Sequence, residues 1–308
     1  MELHSCLWND VDAFTFVDQD LLDIKKHYPD LRIKVHHDED SFLRDAHHAD
    51  FILTWDFEES WYEVCANLKT IFTPAAGNDW VHPDPKNRVE LIHGTFHGPI
   101  LAESLLGALL FMNRQMPDMI RNHQARTWDR NIQTTTRLLG NQNVLIIGLG
   151  NIGLSCARLI LHTGAEVIGI RRNPAKMADP EIDTRSITDL DSLLPWADHV
   201  VLLLPGATST NGFMDSRRLS LMKPGSYIYN FGRGNCLMSS DLLQALPRLG
   251  GAFLDVTDVE PLPLDSPLWK QANVMITPHS SCIYSEYKPS FINEVISHLK
   301  LYFHATPD

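Results

Sequence analysis

The chain has 308 residues, 44% of them hydrophobic and 21% charged, with a formal net charge of -12. That length suits two domains better than one core, and the composition excludes a disordered or fibrous chain. The negative balance disfavours a nucleic-acid partner, whose phosphates need clustered cations.

The opening, MELHSCLWNDVDAF, carries acids where a secretory leader would place a basic and then an apolar run. The long apolar stretch PILAESLLGALLFM contains Glu103 and is too short to span a bilayer. Cys6, Cys65, Cys156, Cys236 and Cys282 are odd in number and never spaced C-x-x-C, which suits reduced thiols. A soluble cytoplasmic protein without a membrane partner is expected. Up to about residue 98, ELHSCLW, RIKVHH, DFILTW, KTIFTPA and VELIHG read as strands, with DQDLLDIKKHYP and SFLRDAHHA as helices between them. Such alternation implies a mostly parallel sheet with helices on its faces. The pairs His36-His37 and His47-His48 lack the spacing of metal ligands, so they are expected at the surface or in loops and no metal is expected.

Residues 99–125 read as a long helical segment that starts at Pro99 and breaks or kinks near Pro117. Apolar residues cover most of its circumference as far as Phe111, so burial on several sides is expected. A second α/β unit begins at NVLIIGLGNIGLSCARLILHTGAEVIGI, and HVVLLLP, SYIYNFG, GAFLDV and VMITPH supply further strands. The last stretch, EYKPSFINEVISHLKLYFHA, is helical and amphipathic and can cross back onto the first unit. The expected division is therefore residues 1–98 with 284–308, against 99–283.

Within the second unit Gly148, Leu149, Gly150, Asn151, Ile152 and Gly153 spell G-x-G-x-x-G between an apolar strand and an apolar helix. That context makes the pattern a dinucleotide fingerprint: one glycine for the tight turn, one for the approach of a pyrophosphate, one for helix–strand packing. The helix N-terminus supplies N–H groups and a favourable dipole for the anion. At the end of the next strand, about 20 residues on, an acid would take the ribose hydroxyl of NAD. The sequence has Arg171 and Arg172 instead. Arginine there suits a 2′-phosphate, so NADPH is expected over NADH.

Three more polar residues follow apolar strands: Arg233 in YIYNFGRGN, Glu260 in LDVTDVEPLP and His279 in VMITPHSS. Doubly wound sheets bind ligands at the carboxyl ends of their strands, so the three are expected to converge. In that order, and together with AAGNDW, ILAESLLGALLFMNRQMP, Trp128 and LLPGATSTNGFMDSRRLSLMKPGSYIYNFGRG, they resemble the D-isomer-specific 2-hydroxyacid dehydrogenases. The similarity runs from about Leu68 to the end of the second unit, while residues 1–67 match only in their α/β pattern.

The resemblance implies two doubly wound parallel-sheet domains, a Rossmann dinucleotide-binding domain and a smaller flavodoxin-like substrate domain. It implies that His279 protonates the carbonyl of a 2-keto acid while hydride attacks its carbon, that Glu260 orients and tunes the imidazole, and that Arg233 binds the carboxylate. It further implies that Ala76, Gly77 and His97 help hold the substrate. Asp255 would face the nicotinamide carboxamide, and Leu101, Leu204, Pro205, Thr210, Phe231 and Gly232 would line the cofactor. The sequence departs from the family's pattern in three places. His97 stands where some relatives have asparagine, Ala207 where many have threonine, and Arg171 where aspartate is commoner. Formate-oxidising relatives carry glutamine in place of Glu260, which argues against formate.

The expected activity is NADPH-dependent reduction of a small 2-keto acid such as glyoxylate or hydroxypyruvate. The alternative is a dinucleotide-sensing interaction protein like the family's co-repressors. The apolar helix near Pro99 and the resemblance both point to a homodimer. The loops expected to line the substrate side chain, LTWDFEESW and FHGPIL, leave large apolar and small polar acids both open.

Overall fold

The computed structural model describes residues 1–77, 79–132, 136–174 and 179–303. They divide into two compact units, Met1–His97 with the stretch from Ile283 onward, and Gly98–Cys282.

In the first unit β1 (Glu2–Cys6), β2 (Arg32–Val35), β3 (Phe51–Thr54), β4 (Thr70–Thr73) and β5 (Glu90–His93) form one sheet in the order β2-β1-β3-β4-β5. Every pairing is parallel. β1, β3 and β4 are buried along their whole length, while the edge strands β2 and β5 are half-exposed. That difference explains why the central strands read as unbroken apolar runs. The helix Tyr287–Phe303 belongs to this unit and buries Tyr287, Phe291, Val295 and Leu299 at four-residue spacing. Tyr28 donates from its hydroxyl to the Ile296 carbonyl at 2.7 Å. The end of the expected helical stretch, His304 and Ala305, lies outside the described residues.

The paired histidines do not share one environment. His36 lies in the loop after β2 but is buried, 6% exposed, with its Nε2 3.1 Å from Nδ1 of the buried His4. Phe42 covers it edge-on. His47 and His48 are exposed.

The second unit holds β6 (Asn143–Ile147), β7 (Glu166–Arg171), β8 (Asp183–Ser186), β9 (His199–Leu202), β10 (Tyr227–Asn230), β11 (Gly251–Leu254) and β12 (Val274–Ile276). The order is β12-β11-β10-β9-β6-β7-β8, again all parallel. Alternate residues of β6 serve opposite faces: Val144 and Ile146 pack under the helices Gly98–Asn113 and Asn151–Leu161, Leu145 and Ile147 on the other side. β8 has no counterpart in the sequence reading. Its residues, DTRS, are polar because it is a sheet edge, with exposed Asp183 and Arg185.

The helical segment breaks two residues before Pro117. Gln115 takes a left-handed φ of 53° and ends the helix Gly98–Asn113, and Pro117 sits in the first turn of the helix Met116–Gln124. Proline is tolerated there because its missing N–H would have no partner in the helix. The first of these helices is buried through Leu101, Leu105, Leu109 and Met112, yet Pro99, Glu103, Gly107 and Leu110 form an exposed stripe. Among the described residues no helix is long and apolar enough to cross a membrane.

In both sheets the strand order reverses next to the first strand, between β1 and β3 and between β6 and β9. Loops leaving the carboxyl ends diverge at such a switch point and open a crevice for a ligand.

Candidate active site

The glycine turn leads from β6 into the helix Asn151–Leu161. Gly148 has φ 110°, and a Cβ on it would stand 2.4 Å from the Leu203 carbonyl. A Cβ on Gly153 would stand 2.4 Å from the Gly148 carbonyl, so the helix can press against the turn only without one. At Gly150 a Cβ would meet nothing within 4 Å. The middle glycine therefore leaves open space before the N–H groups that begin the helix, which fits a dinucleotide pyrophosphate. Leu149 is buried and its side chain packs on Gly169, so only its backbone faces this cradle. Asn151 and Ile152 form the first turn of the helix. Arg171 closes β7, half-buried, and Arg172 follows it exposed. Ala175 and Lys176 of the same stretch lie outside the described residues.

At the carboxyl edge of the same sheet the structure brings Arg233, Glu260 and His279 into one neighbourhood. Glu260 Oε2 lies 2.9 Å from His279 Nδ1, and its Oε1 accepts from the Thr257 N–H at 3.0 Å. Burial opposes the charge on Glu260. The hydrogen bond and charge of His279, the Thr257 N–H and the charge of Arg233 outweigh it and hold the carboxyl below its usual range. An ionised carboxylate only accepts, so Nδ1 of His279 carries the proton and Nε2 is left to face a ligand. Both side chains remain more than a third exposed, 37% for His279 and 39% for Glu260.

Backbone contacts fix the loops that carry these groups. A Cβ on Gly234 would fall 1.7 Å from the Thr257 carbonyl, so the loop after β10 lies directly against the loop that bears Glu260. Asn230, which ends β10, donates to the Arg233 carbonyl at 3.1 Å and accepts from the Gly232 N–H at 3.2 Å. His279 has a left-handed φ of 50°, uncommon for a residue with a side chain. Asp255 holds it there. The His279 N–H donates to the Asp255 carbonyl at 2.8 Å, and the Asp255 carboxylate accepts from the Thr277 hydroxyl and the N–H groups of Ser280 and Ser281.

Sequence reasoning missed Asn230, Thr257 and Thr277, and it did not foresee that Asp255 also organises the loop that carries His279. The available signal was a polar side chain at, or within three residues of, the end of an apolar strand. Thr210 is likewise committed to its loop, 2.8 Å from the carbonyls of both Pro205 and Ala207. Leu204 is half-buried, Pro205 exposed, and Leu101 buried in its helix. Phe231 stacks on Phe253, centroids 5.5 Å apart. Phe231 and Asp255 both line a cavity of about 380 Å³, together with Ser104, Phe111 and Ser281.

In the first unit Ala76 and Gly77 follow β4, exposed and half-exposed. Asn78 of the same loop lies outside the described residues. His97 is buried against Phe96, with ring centroids 4.1 Å apart, and lies 3.4 Å from the Tyr287 hydroxyl.

A sequence model described as D-isomer specific 2-hydroxyacid dehydrogenase, NAD binding domain, matches residues 106–281. The chain belongs to this family. The D-3-phosphoglycerate dehydrogenase of Mycobacterium tuberculosis is 33% identical to this dehydrogenase over 204 residues, which are 65% of this chain and 38% of that one. The chain thus spans well under half the length of that relative. The glyoxylate reductase of Thermofilum pendens is 29% identical over 248 residues, 77% of this chain and 72% of the relative. A probable 2-hydroxyacid dehydrogenase from Rhizobium etli, solved with NADP, HEPES and L(+)-tartaric acid, superposes with a TM-score of 0.83 at 25% identity, over 99% of this chain and 95% of that one. The expected fold class of two parallel-sheet α/β domains holds, with a Rossmann-type order in the second. The dehydrogenase is an oxidoreductase that binds a nicotinamide dinucleotide.

Proposed function

We propose that this dehydrogenase reduces a 2-keto acid to the D-2-hydroxy acid with NADPH, with His279 as the proton donor. The observation that carries the reading is the 2.9 Å pair of His279 and Glu260 beside Arg233, at the carboxyl edge of a sheet that also presents the glycine cradle. Bound NADPH supplies the hydride. Glu260 keeps the proton on Nδ1, so the exchangeable proton sits on Nε2 when His279 is an imidazolium, and Nε2 delivers it to the carbonyl oxygen. Arg233 pairs with the substrate carboxylate through its planar fork and draws electron density from the adjacent carbonyl. Asp255 keeps the His279 turn in its unusual conformation and has acceptor capacity left for the carboxamide.

The proposal takes the first unit, residues 1–98 with 284–308, as the substrate domain and residues 99–283 as the dinucleotide domain. Backbone N–H groups at Ala76 and Gly77 complete the carboxylate site, with His97 nearby. Leu101, Leu204, Pro205, Thr210, Phe231 and Gly232 shape the cofactor's surroundings. Arg171 and Arg172 hold the 2′-phosphate. One charge-assisted hydrogen bond there contributes about 1.5–3 kcal/mol, or roughly a tenfold to hundredfold preference for NADPH.

Loss of nicotinamide absorbance with a panel of 2-keto acids, including glyoxylate and hydroxypyruvate, tests the reading. NADPH should give the higher kcat/KM, and Arg171→Ala should shrink that advantage. Added salt should also shrink it, because the site is partly exposed. Cofactor binding without turnover of any keto acid would favour a dinucleotide-sensing interaction protein. Equal use of NADPH and NADH, unmoved by Arg171→Ala, would return the arginines to the solvated surface.

The protein is further proposed to be a cytoplasmic homodimer. The exposed stripe of the helix Gly98–Asn113, the half-exposed Ile120 and the 92% exposed Trp128 supply apolar surface for a second copy. Light scattering at micromolar concentration should give about twice the chain mass of 34.9 kDa. A monomer mass would refute the dimer.

A further inference from the structure

We infer that the substrate's side chain is uncharged and apolar, larger than those of glyoxylate and hydroxypyruvate, and that Trp80 selects it against a wall built on Trp55. This rests on the keto-acid reading above and names the substrate class for the same site. Trp80 lies three residues beyond Gly77, in the loop proposed to bind the carboxylate. Trp55 follows the neighbouring strand β3, so both indoles stand at one sheet edge, with centroids 6.4 Å apart in a T-shaped arrangement.

Trp55 is a fixed surface. It is only 9% exposed, and its indole N–H donates to the Phe14 carbonyl at 2.9 Å. Phe14 packs 5.2 Å from it, and Tyr287 stacks on it at 6.4 Å and 21°. Phe96 holds Tyr287 edge-on at 4.9 Å. Against this backing Trp80 still leaves 45% of its surface to solvent. An indole held beside a rigid aromatic wall, with its open surface next to a carboxylate-binding loop, suits an apolar group attached to that carboxylate.

Charge narrows the choice. Residues 7–16, 54–61, 74–81 and 94–97 contain Asp10, Asp12, Asp56, Glu58, Glu59 and Asp79 but no lysine or arginine. These are the segments that leave the carboxyl ends of β1, β3, β4 and β5. Lys288, which stands over the Phe16 ring at 5.6 Å, is already paired with Asp20 at 3.2 Å, so a second carboxylate or a phosphate on the substrate would meet mostly like charge there. Glyoxylate has no side chain and would leave the indole wet. A phenyl or branched alkyl group would cover it.

The test compares phenylpyruvate, 4-methyl-2-oxopentanoate, glyoxylate and oxaloacetate with NADPH. Both apolar acids should exceed glyoxylate in kcat/KM by about tenfold or more, and oxaloacetate should be poorest. Trp80→Ala should lose at least tenfold more on phenylpyruvate than on glyoxylate, and Trp80→Phe should recover part of that loss. Binding of phenylpyruvate is read separately, from intrinsic fluorescence in the NADP complex. Phenylpyruvate binding that weakens in Trp80→Ala, without turnover of any acid, would sustain the side-chain assignment and sink the reductase reading. Preference for glyoxylate or oxaloacetate, or an equal loss on all acids in Trp80→Ala, would overturn the assignment while leaving the reductase in place. Absence of both binding and turnover would overturn the two together.

Discussion

His199 and His279 belong to the same sheet but stand at opposite ends of its strands. His199 opens β9 at the amino edge and has no exposed surface. Its Nε2 donates to the Gln142 side-chain oxygen Oε1 at 2.7 Å, and its Nδ1 accepts from the Tyr229 hydroxyl at 3.0 Å. Both ring nitrogens are thus satisfied by neutral partners, and burial drives the imidazole's pKa down to about 4. His279 follows β12 at the carboxyl edge, with Nδ1 held by a carboxylate and more than a third of the side chain exposed. Residue type does not separate these two histidines, and neither does closeness to the sheet. The distinction lies in what each ring has left over: both nitrogens of His199 are taken by neutral partners, while His279 spends Nδ1 on a carboxylate and keeps Nε2 for a ligand.

The largest effect that can break this contrast is catalytic. His279→Ala should lower kcat by about 10² to 10⁴, the usual range for a positioned acid. His199→Gln, measured per folded molecule, should stay within about threefold of wild type. Near-normal turnover in His279→Ala would remove the proposed proton donor.

A smaller effect sharpens the other half. The folded-state pKa of His199 lies below its unfolded value near 6.5, so below that pH the unfolded chain binds the extra proton first. Stability is complete above pH 6.5 and falls as pH drops toward 4. At a limiting slope of about 1.36 kcal/mol per unit, reached only below pH 6.5, His199 accounts for a loss of about 1.5 kcal/mol between pH 6.5 and 5. Burial also lowers the pKa of His4 and His36, which adds to the same window. Urea unfolding at both pH values, compared with His199→Gln, isolates the single residue. The variant should show the smaller pH dependence, and identical slopes would mean that His199 is not held neutral by the fold.

Much of the second unit is legible because its chemistry is written locally. Gly148, Gly150 and Gly153 fall within one turn, and Arg233, Glu260 and His279 each trail an apolar strand, so pattern and strand-end logic find them. The polar edge strand β8 escaped because a sheet edge does not require apolar residues. The helix break near Pro117 is legible because proline is a strong local marker, whereas the left-handed Gln115 that makes the break carries no comparable signal. The first unit hides its chemistry differently. Phe14, Trp55, Trp80, Phe96 and Tyr287 come from five distant segments, and only the order β2-β1-β3-β4-β5 and the returning last helix bring them together. His36 shares the difficulty, since its burial depends on a partner in β1 that no local window contains.

The contact at Gly234 has a consequence for how this protein can be changed. With no room for even one carbon between the Arg233 loop and the Thr257 carbonyl, the two loops have a spacing that side chains cannot adjust. Arginine clamp and acid–base pair are held as one rigid casting, and substitutions meant to widen or narrow it should break it instead. Redesign of substrate range therefore has its open ground elsewhere, in the loop-borne indoles of the first unit, where side chains can be exchanged without moving a backbone.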